Sequence, residues 1–423
     1  MENFAGWPGA PLRFDVAVVG GGAAGIAAAL AAAECGRSVV LIEDYGFFGG
    51  TATISGVQSY CGFLTSGPTP ERVVAGMGQR VLDALQAFGH PVEPVLQSSG
   101  NWIILLDPER LKTVLDRLVL DAGITPLLHC RVIGTQGKNG HIDSLLCSHP
   151  EGNLSIEVGC VVDATGNANV AAMVAPHSIR PRLQAATLTV RIGNVEPGHA
   201  PDREALQAAV IDYQRRTRRH LARSNGGYFV PLPWSGSYWA MMIDVDLVNT
   251  DAHYLTRAEI EARTIAHDYL ESLRRTVPGF ERAILETSGP QLGIRSTRCV
   301  TSQQDVLADD ALGARQRSNG VARSGWPCEL HPGSGVTQYR SIPRHGWFHV
   351  PFGALIPEGS DNLWLAGSSI GADDIAFGSV RVMGTSFATG HAAGVSAALS
   401  SRLSQRVGFE SVRRVLLEQG ALL

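Results

Sequence analysis

The sequence predicts an α/β fold in which a central parallel sheet and an antiparallel layer are interrupted by an inserted α+β domain. Two segments rich in Val and Ile, "FDVAVVG" and "RSVVLIED", flank an alanine-rich helix that begins with glycines. Strands that are apolar along their whole length are typical of parallel sheets covered on both faces. From about Pro176 the pattern changes to mixed strands and polar loops. We therefore predict a discontinuous first domain, 12–175 with 346–423, and a substrate or cap domain at 176–345.

Composition excludes several classes of protein. The 423 residues are 44% hydrophobic and 17% charged, which favours a folded protein over a disordered one. The net charge of -4 and the short cluster at 215–219, which fits a surface helix, argue against nucleic acid as a partner. Seven cysteines without a CxxC pair predict reduced thiols and no metal.

The location and assembly of the protein follow from weaker signals. The start, "MENFAGWPGAPLRFD", lacks the pattern of a secretory signal, and no uninterrupted apolar stretch is long enough to span a membrane. We therefore expect a cytoplasmic protein without a membrane partner. The sequence leaves a homo-oligomer open.

Local signals define the other elements in order. Thr69 and Pro70 predict a helix ending near Phe88, and Asp107 caps a second helix that Gly123 ends. The dipeptide Asn139-Gly140 predicts a hairpin between two strands. Thr256 and Glu259 resemble a capping box that opens a long helix, and "GSVRVMGTSFATGHAAGVSAALSSRL" predicts a late helix of small residues.

The first turn carries the clearest chemical motif. Gly20, Gly22 and Gly25 form GxGxxG between a strand and a helix, and Glu43 closes the next strand. The glycines permit a tight turn and close approach to a pyrophosphate, whose charge the helix amino terminus stabilises. Glu43 is placed to accept hydrogen bonds from ribose hydroxyls. This Rossmann-like motif alone does not choose between NAD and FAD.

Two further segments favour FAD. Gly49 and Gly50 offer a second close approach to a ligand after Glu43. Near the other end, "LWLAGSSIG" brings a strand end, a loop and a helix start together, and such a helix start stabilises charge on a reduced flavin. Gly390 and Gly394 give the late helix a narrow face for packing on a sheet or on the cofactor.

With these motifs in place, the chain resembles the bacterial FAD-dependent oxidoreductases related to the fumarate reductase and succinate dehydrogenase flavoprotein type. The resemblance is carried by "DVAVVGGGAAGIAAALAAAECGRSVVLIE", "GGTAT", "VVDATGNANVAA", "QLGIRSTRCV" and "NLWLAGSSIGADDIAFGSVRVMGTSFATGHAAG". It implies a non-contiguous FAD domain. The chain differs from the family pattern at Asn167 and at "FHVPF", 348–352.

The resemblance also implies where the cofactor binds. The predicted FAD contacts are Gly20, Gly22, Ala23, Ala24, Gly25, Glu43, Asp44, Gly49, Gly50, Thr51, Ala52, Val132, Asp163, Ala164, Thr165, Gly166, Gly367, Ser379, Val380, Arg381 and Val382. A single GxGxxG and the missing CxxC argue against a nicotinamide-dependent disulfide reductase. The absence of GDAAH disfavours an aromatic hydroxylase.

Candidate catalytic residues come from the middle and end of the chain. His331, in a predicted loop, is our first candidate for a general base, and His349 is a second. Arg295, Arg298 and Arg381 are candidates for orienting an anionic or polar substrate, and the first two share a face only if that segment is helical. A purely structural role stays open for each of these five residues. A covalent flavin link through Cys61 is left open beside the reading of a buried small side chain.

These features predict an FAD-dependent dehydrogenase or oxidase that moves hydride from a small organic substrate to flavin N5, with an external electron acceptor of unknown identity. Two alternatives stay open. In the first, the enzyme reduces an activated double bond. In the second, the flavin serves only as an electron carrier.

Overall fold

A computed structural model describes residues 12–295, 297–403 and 405–423. The expectation that the first eleven residues are no secretory signal lies outside the described residues. The strands are β1 (Leu12–Val19), β2 (Val39–Ile42), β3 (Ser59–Cys61), β4 (Pro94–Leu96), β5 (Trp102–Leu105), β6 (Thr125–Leu127), β7 (Arg131–Gln136), β8 (Ser144–His149), β9 (Gly152–Asp163), β10 (His177–Ile179), β11 (Ala186–Gly193), β12 (Tyr228–Pro231), β13 (Tyr238–Val245), β14 (Ile284–Ser288), β15 (Arg298–Val300), β16 (Gly320–Ser324), β17 (Cys328–Gly333), β18 (Val336–Arg340), β19 (Phe348–Pro351) and β20 (Leu363–Leu365).

The α-helices lie between some of these strands and after the last one. They are α1 (Ala23–Glu34), α2 (Met77–Ala87), α3 (Pro108–Asp121), α4 (Ala171–Val174), α5 (Arg203–Thr217), α6 (Ala252–Thr276), α7 (Ala308–Leu312), α8 (Asp374–Val380), α9 (Met383–Leu403) and α10 (Phe409–Glu418). No helix in the described part of the chain combines the length and apolarity that crossing a bilayer requires.

The central sheet has the predicted parallel core and antiparallel layer. Its strand order is β6-β2-β1-β9-β8-β7, and β6, β2, β1 and β9 run parallel. The long β9 pairs antiparallel with β8 through its first half and parallel with β20 through its last residues. The carboxy-terminal part of the chain therefore returns to the strand beside β1, as a discontinuous domain requires.

A second sheet lies in the middle of the chain. It is antiparallel in the order β12-β13-β11-β14, and a separate hydrophobic core forms between Ala186 and Leu292. Buried residues between Val300 and Ile342 instead belong to the hydrophobic core around the central sheet. The strand β16, which lies in this range, pairs with β19. The residues of this second core span a shorter part of the chain than the predicted domain at 176–345. The domain limits themselves stay a prediction.

The two glycines of the late helix pack against α1. A Cβ added to Gly390 would lie 2.1 Å from the carbonyl oxygen of Ala24, and one added to Gly394 would lie 2.2 Å from that of Ala28. The two glycines therefore let the backbones of α1 and α9 touch. This contact corrects the earlier expectation for these glycines.

Local signals predicted some element limits well. The side chain of Asp107 caps α3 by accepting hydrogen bonds from the peptide N–H groups of Glu109 and Arg110, and Gly123 has a φ of +69°. Asn139 and Gly140 both have positive φ between β7 and β8, as their hairpin requires.

Other predicted limits were wrong. The helix expected from Thr69 begins only at Met77, because the N–H of Val73 bonds to the carbonyl of Phe63 and Arg72 bridges to Leu64. The cap of the long helix α6 lies five residues before the predicted cap Thr256, because Asp251 caps the helix by accepting the N–H of Tyr254. The segment that holds His331 is the strand β17 and not a loop.

Candidate active site

The glycine turn leads directly from β1 into α1. Gly20 has a φ of +101°, and a Cβ there would lie 2.5 Å from the carbonyl oxygen of Ala164. A Cβ on Gly25 would lie 1.7 Å from the carbonyl oxygen of Gly20. The first bond within the helix runs from Ile26 N–H to the carbonyl of Gly22, so the preceding N–H groups lie at the open helix end. This end suits an anionic diphosphate.

Glu43 is buried at the end of β2 beside the same turn. Its carboxylate accepts the N–H of Gly21 at 2.7 Å and that of Tyr45 at 3.0 Å. Burial raises the pKa of Glu43, although these hydrogen bonds oppose the shift. Each carboxylate oxygen keeps acceptor capacity for a ribose hydroxyl. The neighbouring Asp44 pairs with Arg131 instead.

A second backbone loop faces the glycine turn. Gly49 has a φ of +118°, and a Cβ added to Gly50 would lie 2.7 Å from the Cα atom of Gly22. Thr51 follows in this loop and is exposed toward the large cavity described below. The two loops form a narrow cradle of bare backbone, which larger side chains would fill.

The carboxy-terminal segment completes this side of the fold. Ala366 N–H bonds to the carbonyl of Asp163, and the hydroxyl of Ser368 donates to the carbonyl of Gly166 at 2.9 Å. The buried Asp163 carboxylate accepts the N–H groups of Val170 and Ala171 and so fixes the loop after β9. The ends of β9 and β20 therefore lie together.

These residues fit FAD. The helix end and the paired backbone loops suit a diphosphate, and a buried carboxylate suits a ribose. Two predicted contacts do not lie on the cradle or the cavity: Ser379 and Val380 are fully buried, and the Ser379 hydroxyl donates to the carbonyl of Trp326. The remaining predicted contacts surround these loops or their strand ends, namely Ala23, Ala24, Ala52, Val132, Ala164, Thr165 and Gly367.

A cavity of about 430 Å³ lies next to this cradle and between the two sheets. Thr51, Ser368 and Met383 border it on the side of the cradle, and Thr187 and Tyr228 border it on the side of the second sheet. A small third hydrophobic cluster packs at the same junction, and it includes Ile103, Trp239, Trp326 and Val382. The cavity is therefore positioned to receive a small molecule beside a cofactor.

Glu329 and His331 form the central polar pair of this cavity. They stand two residues apart on β17 and so share one face of the strand. His331 Nε2 lies 3.1 Å from Oε1 of Glu329, and Trp326 Nε1–H donates to Oε2 at 2.9 Å. His331 Nδ1 lies 3.4 Å from the hydroxyl of Thr337.

The protonation of this pair follows from burial and charge. Burial together with the nearby Arg295 lowers the pKa of His331 to about 4. Burial opposes ionisation of Glu329, yet the hydrogen bond from His331 and the charge of Arg381 hold its pKa below the ordinary value. At neutral pH the pair is therefore a carboxylate and a neutral imidazole, with the ring proton on Nε2.

Three of the four arginines that border the cavity are buried or half-buried. Arg295 is held by the carbonyl of Ala185 and the hydroxyl of Thr187, and burial lowers its pKa to about 10. Arg381 donates to the backbone carbonyl of Glu329 at 3.0 Å. The third, Arg223, forms a salt bridge of 2.8 Å with the buried Asp244.

Two predicted catalytic residues lie elsewhere. Arg298 begins β15, and it donates to the carbonyl of Asn167 and the side chain of Asn169. His349 on β19 accepts the N–H of Arg317 at 2.9 Å through Nδ1. Neither residue lines the cavity. Because both residues lie outside the cavity, we do not assign them a role in the proposed reaction.

Sequence reasoning missed most of the cavity. It did not find Glu329, although its alternation with His331 is the pattern of two residues on one strand face. The turn Gly333-Ser334-Gly335 offered a hairpin signal between β17 and β18. Nothing local marks Arg223, Tyr228 or Tyr339 as neighbours, because distant segments bring them together.

Comparison with known proteins gives a family match over most of the chain. A family model described as FAD dependent oxidoreductase matches residues 15–416. A 42-residue segment is 60% identical to urocanate reductase of Eggerthella lenta. That segment is 10% of this chain, and the chain covers only 7% of the length of this curated relative.

Solved structures with similar folds are distant in sequence. A geranylgeranyl bacteriochlorophyll reductase-like protein from Thermoplasma acidophilum is 14% identical, with a TM-score of 0.47 over 98% of this chain and 85% of that chain. The flavin-dependent brominase Bmp2 is also 14% identical, with a TM-score of 0.49 over 95% and 83%.

Proposed function

We propose, from the premise that the chain belongs to the FAD dependent oxidoreductase family, that it is a dehydrogenase or oxidase of a small organic molecule. Its cofactor is FAD. The observation that carries the proposal is the neutral His331, held by Glu329 inside a cavity of about 430 Å³ that borders the FAD cradle. An electron-carrying flavoprotein has no need of such a cavity.

The chain contributes three functions to this reaction. FAD held in the cradle would supply a two-electron acceptor, at N5 of its ring system, for the hydride that the substrate loses. His331 Nδ1 accepts the proton that the substrate loses, because Nε2 carries a hydrogen toward Glu329. The carboxylate of Glu329 stabilises the imidazolium that results. Arg295 and Arg381 orient the substrate, and the aromatic walls exclude water.

A second candidate is reduction of an activated double bond, and the 42-residue match to urocanate reductase favours it. The same match supports the proposed relationship to the fumarate reductase flavoprotein type. In this direction the reduced cofactor would supply the hydride, and a cavity residue would supply the proton.

Anaerobic spectroscopy distinguishes these functions. The purified protein with bound FAD is mixed with pools of small metabolites, and the visible absorbance of the oxidised flavin is followed. Loss of absorbance supports a dehydrogenase or oxidase, whereas recovery of absorbance after dithionite-reduced protein meets an alkene supports a reductase. A flavin that responds to no small molecule in either direction contradicts both proposals.

A further inference from the structure

We propose that the substrate carries one carboxylate on an otherwise uncharged, apolar or aromatic molecule, and that Arg295 and Arg381 bind this carboxylate. The inference rests on the function proposed above, because it assigns a substrate class to the same cavity.

The charges inside the cavity do not cancel. The buried lining includes three guanidinium groups, those of Arg223, Arg295 and Arg381, and the carboxylate of Glu329, while a second carboxylate, that of Asp244, lies outside the lining and pairs with Arg223. Burial lowers the pKa of His331 and raises the pKa values of the thiol and phenol groups that line the cavity, so these groups are uncharged at neutral pH; the thiol and phenols are Cys61, Tyr228 and Tyr339. A surplus of one positive charge is therefore buried there.

Two arginines, Arg295 and Arg381, share this surplus, because Glu329 is the one carboxylate that the structure describes in the lining and it acts on both. Arg223 already pairs with Asp244 at 2.8 Å, whereas the described residues place no carboxylate oxygen within 4 Å of the Arg295 or Arg381 nitrogens. The charge of Arg381 lowers the pKa of Arg295, whereas the carboxylate of Glu329 acts in the opposite direction on both arginines. A buried charge without a partner is costly, and a carboxylate from outside the chain would offset that cost.

Hydrogen bonding points to the same pair. Arg381 makes one hydrogen bond, to the carbonyl of Glu329, and its buried Nε has no partner among the described residues. Arg295 is fixed by Ala185 and Thr187, so its orientation is set before a ligand arrives. A planar guanidinium with donors to spare matches a carboxylate, which accepts two parallel hydrogen bonds.

The rest of the wall limits the substrate to one charge. Ile103, Met241 and Val382 give apolar surface, and Trp239 and Trp326 give aromatic surface. Arg203 is the remaining arginine of the lining, and it is exposed to solvent. A second carboxylate would therefore face apolar and aromatic groups without a buried cation, which favours a monoanion over a dianion.

Equilibrium binding tests this class without turnover. The protein with bound FAD is titrated with benzoate, benzamide and isophthalate, and binding is read from the flavin spectrum and by calorimetry. We expect benzoate to bind at least about 30-fold more tightly than the neutral amide or the dianion. Arg295→Gln and Arg381→Gln should each weaken benzoate binding by about 30-fold or more, while Arg295→Lys should recover part of the loss.

Arg191→Gln is the matched control. Arg191 lies on the same domain, pairs with Glu286 at 2.6 Å and does not line the cavity, so benzoate binding should be unchanged. Equal affinity for benzoate and benzamide, or tighter binding of isophthalate, would overturn the proposal even if the arginine variants failed to fold. Selective benzoate binding in a protein whose flavin no metabolite reduces would instead contradict the proposed function and leave this subsite standing.

Discussion

At the scale of single residues, the chemistry depends on side chains whose charge is set by their neighbours. His331 would titrate near neutral pH in water, yet burial beside Arg295 keeps its imidazole neutral. Glu329 keeps its charge because Trp326 and His331 both donate to it. This pair places a neutral base and a fixed anion in one cavity.

Replacing His331 with Asn tests the assigned base. The His331→Asn variant retains a polar side chain of similar size but has no basic nitrogen, so the rate of flavin reduction by a substrate should fall about 10²- to 10⁴-fold. Rapid anaerobic mixing measures this rate, and flavin absorbance confirms that FAD stays bound. His267→Asn changes an exposed histidine on α6 and should have no effect. An unchanged rate in the His331 variant would remove it from the mechanism.

The glycine turn gives a steric prediction. Gly25→Ala places a methyl group 1.7 Å from the carbonyl oxygen of Gly20, so the turn must open and the N–H groups of α1 lose their arrangement. The purified variant should contain little FAD. Gly408→Ala is the control, because nothing lies within 4 Å of the added Cβ. Full FAD content in Gly25→Ala, measured by flavin absorbance per protein, would show that this turn does not hold the cofactor.

At the scale of elements, local rules succeeded where the local contacts survive in the fold. Asp107 caps α3 because its carboxylate accepts hydrogen bonds from N–H groups that lie only two and three residues further along the chain. Asn139-Gly140 forms its hairpin for the same reason. The rule at Pro70 failed because Phe63 and Leu64 bind the segment that would otherwise begin the helix. Cavity residues escaped prediction because their neighbours lie far away in the sequence.

The burial of His391 on α9 predicts how the free energy of unfolding depends on pH. His391 donates from Nε2 to Gln419 at 2.7 Å, and burial lowers its pKa to about 4. Below about pH 6.5 the unfolded chain binds a proton that the folded chain does not, so the free energy of unfolding decreases as the pH falls toward 4. His391 should account for a loss on the order of 2 kcal/mol between about pH 7 and about pH 4.5.

Chemical denaturation of FAD-saturated protein at both pH values measures the contribution of His391 to the free energy of unfolding. His391→Gln keeps a hydrogen-bonding side chain but does not titrate, so its unfolding free energy should decrease by about 2 kcal/mol less than that of the unchanged protein. Other groups titrate in both proteins and cancel in the difference. Equal pH dependence in the two proteins would show that His391 is not held neutral in the fold.

At the scale of the whole molecule, the fold brings three distant parts of the chain to one place. The glycine turn, the second sheet and the segment after β20 border one cradle and one cavity. The sequence predicted the first and last of these from their glycines, but the cavity exists only where the second sheet packs against them. The contact between α1 and α9, through Gly390 and Gly394, keeps the two chain segments of the central sheet together.

The central claim is that the FAD ring borders the cavity that holds Arg295, His331 and Arg381. A crystal structure of the protein purified with FAD tests it most directly. We predict the diphosphate at the amino end of α1 and the reactive edge of the ring open to the three side chains. A ring that lies away from this cavity, or FAD that binds apart from the glycine turn, would contradict the account.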